Sequence, residues 1–292
     1  MAKNDEPKLH SKSGQIAFES TIVYVVVIFF AILAIIPFWY MFMNATWDSV
    51  HVQSHFLLYP KFDGFKSLRA NWAYLANKAS FKFARGFFNS AVISTSATLL
   101  TVYFSALTAY GLTVYQFKGK KTIFAIIVGV MMVPTAVNIT GFYKLMQSMN
   151  LINTKWPLIL PAIAAPSTVF FIKQYLDSSL SVEIIEASRI DGAGEFFTFN
   201  KICLPIMIPA VATQAIFSFL GSWNNFFAPS ILLTKTSEKT LPLMVALLSS
   251  DRVVEYGAVY LGLSASVVPV VIVYAFLQRF IIQGVAAGGV KE

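Results

Sequence analysis

Residues 20–47 read STIVYVVVIFFAILAIIPFWYMFMNATW, a run of 28 positions without Asp, Glu, Lys, Arg or His. A helix needs about 20 apolar residues to cross the hydrocarbon core of a bilayer. In lipid the backbone must satisfy its own hydrogen bonds, so a run of this length is expected to be helix and not strand. It is too long for the apolar core of a cleavable leader, and no small-x-small site closes it. Residues 1–19 are polar, and the run is read as a retained first span.

Five more charge-free stretches follow, at 86–117, 122–143, 156–172, 202–234 and 256–278. The fourth is the shortest, and Lys173 at its end is expected to snorkel and so lengthen that helix. Hydrophobic residues make up 57% of the 292-residue chain and charged residues 12%. Soluble domains carry about 25% charged residues, so this surface is suited to lipid and not to water. The expectation is an all-α polytopic membrane protein with about six transmembrane helices. Prolines 37, 134, 161, 166, 209, 229 and 269 fall inside these runs. They are read either as simple kinks compensated by neighbouring helices or as kinked helices packed around a gated cavity.

The net charge of +8 is scattered between apolar runs, with no basic stripe and no nucleic-acid motif, so no nucleic-acid partner is expected. Assigned to alternate sides, the Lys and Arg residues split evenly, 11 and 11. The short Lys118, Lys120, Lys121 turn and the Lys3, Lys8, Lys12 tail favour both termini in the cytoplasm. The lone cysteine, Cys203, excludes an intrachain disulfide. His51 and His55 stand four apart without a suitably spaced carboxylate, so no metal site is expected. The spans lack the ionisable groups that proton-coupled carriers place there and any catalytic dyad; no catalytic residue is assigned. Nor is there a phosphate-binding loop; Gly119-Lys-Lys-Thr122 lacks the upstream glycine. Energy for uphill movement would come from another polypeptide, although sodium coupling through backbone carbonyls stays open.

Residues 177–204, between the fourth and fifth stretches, are amphipathic. From Glu183 to Pro205 the sequence reads EIIEASRIDGAGEFFTFNKICLP. Glu183 and Glu186 favour a helix N-terminus through the dipole, and Asp191-Gly192 breaks the helix. Phe196, Phe199 and Ile202 recur as one apolar stripe, and Pro205 suits the first turn of the next span. By this reading alone the segment is a helical hairpin, which could be an inert connector.

The same segment resembles the coupling loop of bacterial ABC importer permeases. That motif is E-A-A-x-x-x-G, nine residues, then I-x-L-P; here it is Glu186-Ala187-Ser188, Gly192, then Ile202-x-Leu204-Pro205. Ser188 for the second alanine is the sole departure. Gly221-Ser-Trp-Asn-Asn-Phe-Phe-Ala-Pro229 resembles the span-5 pattern W-N-x-F-x-x-P of sugar-importer permeases. The segment from Leu151 to Pro161 is similar to their span-4 entry, and that from Gln278 to Lys291 to the tail of the maltose-importer type. The likeness covers most of the chain from about Asn89 onward.

The resemblance implies a non-catalytic permease subunit of a carbohydrate importer in a bacterial inner membrane. It would pair with a second homologous permease and two ATPase subunits, which bind the ATP and Mg; an extracytoplasmic binding protein would deliver the solute. No cofactor is expected in this chain. Glu183, Glu186, Ala187, Ser188, Asp191 and Gly192 would form the ATPase-coupling set, with Glu186 paired to a basic residue of the ATPase. The apolar stripe would anchor the second helix against the permease. Gln283 and Gly284 would reach the ATPase dimer interface. Asn138, Trp223, Asn224, Asn225, Phe226 and Phe227 are candidates for the substrate path, since amides and aromatic faces suit a sugar; they would equally serve as glue between helices. The expected organisation is a cytoplasmic tail at 1–19, a first span with a long external loop at 20–85, a transmembrane domain at 86–282 and a cytoplasmic tail at 283–292. The alternatives are an importer permease for a peptide, phosphodiester or polyamine, and an autonomous secondary transporter or channel.

Overall fold

The computed structural model describes residues 9–134, 138–250 and 252–289. In chain order the α-helices are α1 (Leu9–Asn44), α2 (Ser49–Ser54), α3 (Lys66–Asn77), α4 (Phe83–Val114), α5 (Lys120–Met131), α6 (Ile139–Ser148) and α7 (Trp156–Ile159). They continue with α8 (Pro166–Ser179), α9 (Val182–Ile190), α10 (Glu195–Phe197), α11 (Leu204–Trp223), α12 (Phe227–Leu232), α13 (Leu241–Leu248) and α14 (Tyr256–Gly289). A 3₁₀ turn, Leu160–Ile163, leads towards α8, and a π-helical turn, Thr198–Cys203, joins α10 to α11.

Among the described residues, five helical segments are long and apolar enough to cross a membrane: Ser20–Asn44, Phe83–Val114, Trp156–Ser179, Glu195–Leu232 and Tyr256–Phe276. The predicted third span departs from expectation. Within 122–143 the described residues form α5 up to Met131 and α6 from Ile139, and Pro134 lies outside both helices. Proline has no N–H for the carbonyl four residues back, and its ring disfavours helix in the residue before it. The first helix begins at Leu9, inside the segment 1–19, and the last runs on through Gln283 and Gly284 to Gly289.

By internal contacts the chain divides into two units. The smaller holds the described residues up to Trp72 together with Glu255–Ser264. Its first helix leaves Ser20 to Trp39 exposed, an apolar surface that only lipid or a partner would cover. The segment after it is tied by side chains. Asn44 Nδ2 donates to the Leu57 carbonyl at 3.1 Å, and Asn71 Nδ2 to the Trp47 carbonyl at 2.9 Å. Asp48 accepts from Lys61 Nζ at 2.7 Å and faces the ring of His51.

The larger unit, Ala73–Val254 with the described residues from Ala265 on, is built around α4. Much of its buried face is small (Ser90, Ser94, Ala97, Thr101, Ser105, Ala106 and Ala109), with Ile93, Val102, Tyr110 and Leu112 as its larger buried side chains. α8 and α11 pack against α4, and the small residues permit close approach, as in other membrane bundles. At one end of α4, Asn89 Nδ2 donates to the carbonyls of Ser237 and Lys239 at 2.8 and 3.0 Å. Ser90 Oγ accepts from the Leu241 amide at 2.9 Å. The ion pair Lys155–Glu238, at 2.9 Å, fixes the same segment between α12 and α13. At the other end of α4 sits the hairpin of α9, α10 and the π-turn.

Candidate functional site

In α9 the side chains divide by position. Ile185 and Ser188 are buried; Glu183, Glu186, Ala187 and Ile190 are exposed, and Asp191 follows them at the helix end. Ile185 enters an apolar cluster with Ala106, Ala109 and Tyr110 of α4, Ile172 and Leu176 of α8, and Phe199, Cys203 and Met207. This burial orients the helix and turns the opposite face, with both carboxylates, to solvent. Glu183 accepts a hydrogen bond from Ser181 Oγ, which holds its carboxyl below the usual value. Glu186 has no hydrogen bond or ion pair among the described residues.

Gly192 ends α9 at φ +78°, and a Schellman cap closes the helix. The Gly192 amide donates to the Arg189 carbonyl and the Ala193 amide to the Ser188 carbonyl, both at 3.0 Å. The turn thus satisfies two carbonyls that the helix end would otherwise leave open. A groove of about 680 Å³ runs beside it, lined by Ile184, Ala187, Asp191, Gly192, Phe197 and Ile202.

The second arm departs from the predicted stripe. Phe199 is buried and Ile202 partly so, but Phe196 is 72% exposed. The physical reason is the π-turn. Pro205 has no N–H to give to Lys201, and the backbone ahead of it is wound wider, with the Leu204 amide donating to the Phe199 carbonyl five residues back. The inward face therefore becomes Phe199, Cys203 and Met207.

Four hydrogen bonds of the hairpin lie outside the sequence-based expectation. Ser188 Oγ lies 3.2 Å from Thr198 Oγ1 in a buried pair that joins the two arms. Arg189 Nε donates to Glu195 Oε1 at 2.8 Å across the glycine turn. Glu195 Oε2 also accepts from the hydroxyls of Tyr110, at 3.1 Å, and Tyr115. The six-residue spacing of Arg189 and Glu195 about a glycine is a usable sequence signal for their pairing. The tyrosines lie 80 or more positions away, and no local pattern reveals them.

The predicted substrate-path residues do not converge on one place. Asn138 and Asn225 line a cavity of about 460 Å³ together with Thr101, Phe142, Ser218 and Ser222. Trp223 does not line it. It is buried between Phe87 and Phe219, and its Nε1 donates to the Ser266 carbonyl at 3.1 Å. That places it on a separate apolar cavity of about 510 Å³ between α4, α11 and α14. Asn224, Phe226 and Phe227 are exposed, while Asn225 Oδ1 also accepts from the Ala228 amide at the start of α12. At Gln283 and Gly284 the backbone is helical. His51 and His55 stack 6.2 Å apart, and among the described residues no cluster of three or more metal-ligating side chains forms.

The family model described as "Binding-protein-dependent transport system inner membrane component" matches residues 101–287. The arabinooligosaccharides transport system permease protein AraQ of Bacillus subtilis is 38% identical over 221 residues, covering 76% of this chain and 78% of its own. The diacetylchitobiose uptake system permease protein NgcG of Streptomyces coelicolor is 30% identical over 273 residues, 92% of this chain and 88% of its own. Among solved structures, a chain of a bacterial ABC transporter involved in the import of the acidic polysaccharide alginate superposes with a TM-score of 0.74. It is 19% identical, covering 96% of this chain and 99% of that one, and shows the shared fold. With the motif spacing, the helical architecture and a family match over more than half its length in agreement, the chain belongs to the binding-protein-dependent transport system inner membrane components.

Proposed function

We propose that this multi-pass membrane protein is a carbohydrate importer's permease subunit, and that its α9 hairpin is the surface through which a cytoplasmic ATPase drives it. The observation that carries this reading is the exposed face of α9, where Glu186 stands without a partner among the described residues, beside a groove and on a helix whose opposite face is locked into the core. An unpaired carboxylate on a rigid helix is ready to receive a basic residue from another protein. ATP and Mg belong to two copies of that ATPase, and this subunit catalyses no covalent chemistry. A second homologous permease completes the translocation path, and an extracytoplasmic binding protein delivers the solute. With the hairpin at the ATPase, both termini lie in the cytoplasm.

Carbohydrate as solute is supported by the named substrates of the relatives, arabinooligosaccharides and diacetylchitobiose. It is also supported by the amides of Asn138 and Asn225, which share a cavity with three hydroxyl side chains. ATP binding would draw the docked hairpins together and tip the spans from one facing to the other, a two-state switch driven by differential contacts. The test is purification of the tagged chain in mild detergent, as wild type and Glu186→Arg. An ATPase and a second permease are expected to accompany the wild type, and the ATPase to be lost from the variant. A wild-type chain that comes out alone in several detergents overturns the reading.

A further inference from the structure

Glu195 accepts hydrogen bonds from three side chains on two elements. Arg189 belongs to the first arm of the hairpin. Tyr110 and Tyr115 belong to α4 and to the residue that caps it. The donors also support one another: the Arg189 guanidinium lies over the Tyr115 ring at 5.6 Å, and the two tyrosine rings meet edge to face at 5.8 Å. Beneath this polar cap the two elements meet through the apolar cluster of Ile185, Phe199, Cys203, Ala106 and Ala109 and through one long neutral hydrogen bond, from the Tyr103 hydroxyl to Asn200 Oδ1 at 3.3 Å. Apolar contact is non-directional, and with only that neutral bond beside it the hairpin could still roll or slide on α4. Hydrogen bonds to a carboxylate are directional and stronger than neutral ones, and they fix one register.

We propose that Glu195 is the positioning residue that clamps the hairpin to α4, so that the two move as one rigid body when the ATPase pulls. The consequence reaches the candidate path, because Thr101 of α4 lines the cavity with Asn138 and Asn225. It stands nine residues from Tyr110, about 14 Å along the helix. A hairpin free to slide would follow the ATPase and leave α4 behind. This inference rests on the proposed importer reading.

The test uses the full complex copurified with its ATPase. Spin labels are placed at Thr108→Cys on α4 and Ile190→Cys on the hairpin, both exposed positions, in a Cys203→Ala background. The inter-label distance is measured without nucleotide and with ATP, Mg and vanadate. One unchanged distance is expected for the otherwise wild-type chain. In Glu195→Gln, and in Tyr110→Phe with Tyr115→Phe, a second, nucleotide-dependent distance is expected while the ATPase still copurifies. The tyrosine pair leaves the Arg189–Glu195 bond intact and so isolates the link to α4. The clamp is overturned if the variants keep the wild-type distance in both states, if they broaden it without any response to nucleotide, or if the wild-type distance itself shifts. Failure of the ATPase to copurify with wild type is a different result, and overturns the importer reading instead.

Discussion

Gly192→Ala isolates the contribution of the hairpin turn. At φ +78° a non-glycine residue pays for the left-handed conformation, while a Cβ built there meets nothing within 4 Å. The penalty is therefore backbone strain without a clash, about 1–2 kcal/mol for alanine, or about a 5–30-fold shift in the equilibrium between capped and opened turn. Asparagine visits this region more readily, and the chain already uses it there, at Asn150 and Asn153 with φ 57° and 62°. Gly192→Asn is thus expected to lie much closer to wild type than Gly192→Ala. The assay is hydrogen–deuterium exchange of the amides at positions 192 and 193, which donate to the Arg189 and Ser188 carbonyls. Protection is expected to fall about 5–30-fold in the alanine variant and only slightly in the asparagine variant. Unchanged protection in Gly192→Ala, or equal loss in both variants, would refute the strain argument. If exchange separates the two variants but both lose the ATPase, the partner approaches Gly192 too closely for any side chain.

Ser188→Ala restores the residue more usual in the motif but leaves the buried Thr198 hydroxyl without its partner. It should lower stability by about 1–3 kcal/mol, read as a drop in Tm, and adding Thr198→Val should recover most of the loss. Trp223→Phe removes the bond to the Ser266 carbonyl and should cost about 1 kcal/mol with solute affinity unchanged. Asn225→Ala should do the reverse, raising the KM for uptake with little change in Tm; equal effects on KM from both variants would contradict the separation of the two cavities. The Lys155 ammonium beside Glu238 holds its carboxyl below the ordinary value of 4.5. A depressed carboxylate stabilises the fold above its unfolded value, and that contribution fades as pH falls through the folded one. The anisotropy of a probe at Lys235→Cys, in a Cys203→Ala background, should therefore hold steady from neutral pH down to 4.5 and drop only below it. A transition near neutrality would show that another group holds the segment.

Several parts of the site were readable without coordinates because they rest on local chemistry. A charge-free run long enough to cross a bilayer is built from helix and not strand, since the backbone must satisfy its own hydrogen bonds in lipid. Asp191-Gly192 closes α9 because glycine is free to adopt positive φ. Glu183 stands in the first turn of α9, where the helix dipole favours a carboxylate. Where the reading failed, a local rule was overridden. The stripe through Phe196 presumed an unbroken 3.6-residue period, and the π-turn ahead of Pro205 changed which positions face inward. Residues 122–143 were free of charge throughout, so composition gave no reason to prefer two helices to one, and only Pro134 hinted that one helix would not continue.

The amino-acid sequence by itself determined that the chain is a bundle of membrane-crossing helices with a glycine-hinged hairpin between the fourth and fifth apolar runs. These features depend on length, hydropathy and residue-level backbone preference. Only the tertiary structure decided which amides share a cavity, that Trp223 bonds to the Ser266 carbonyl, and that Glu195 joins the hairpin to α4. Each of these joins residues from 43 to 87 positions apart. Such pairings are set by how α4, α8, α11 and α14 pack, and the period of a single helix carries no record of its neighbours.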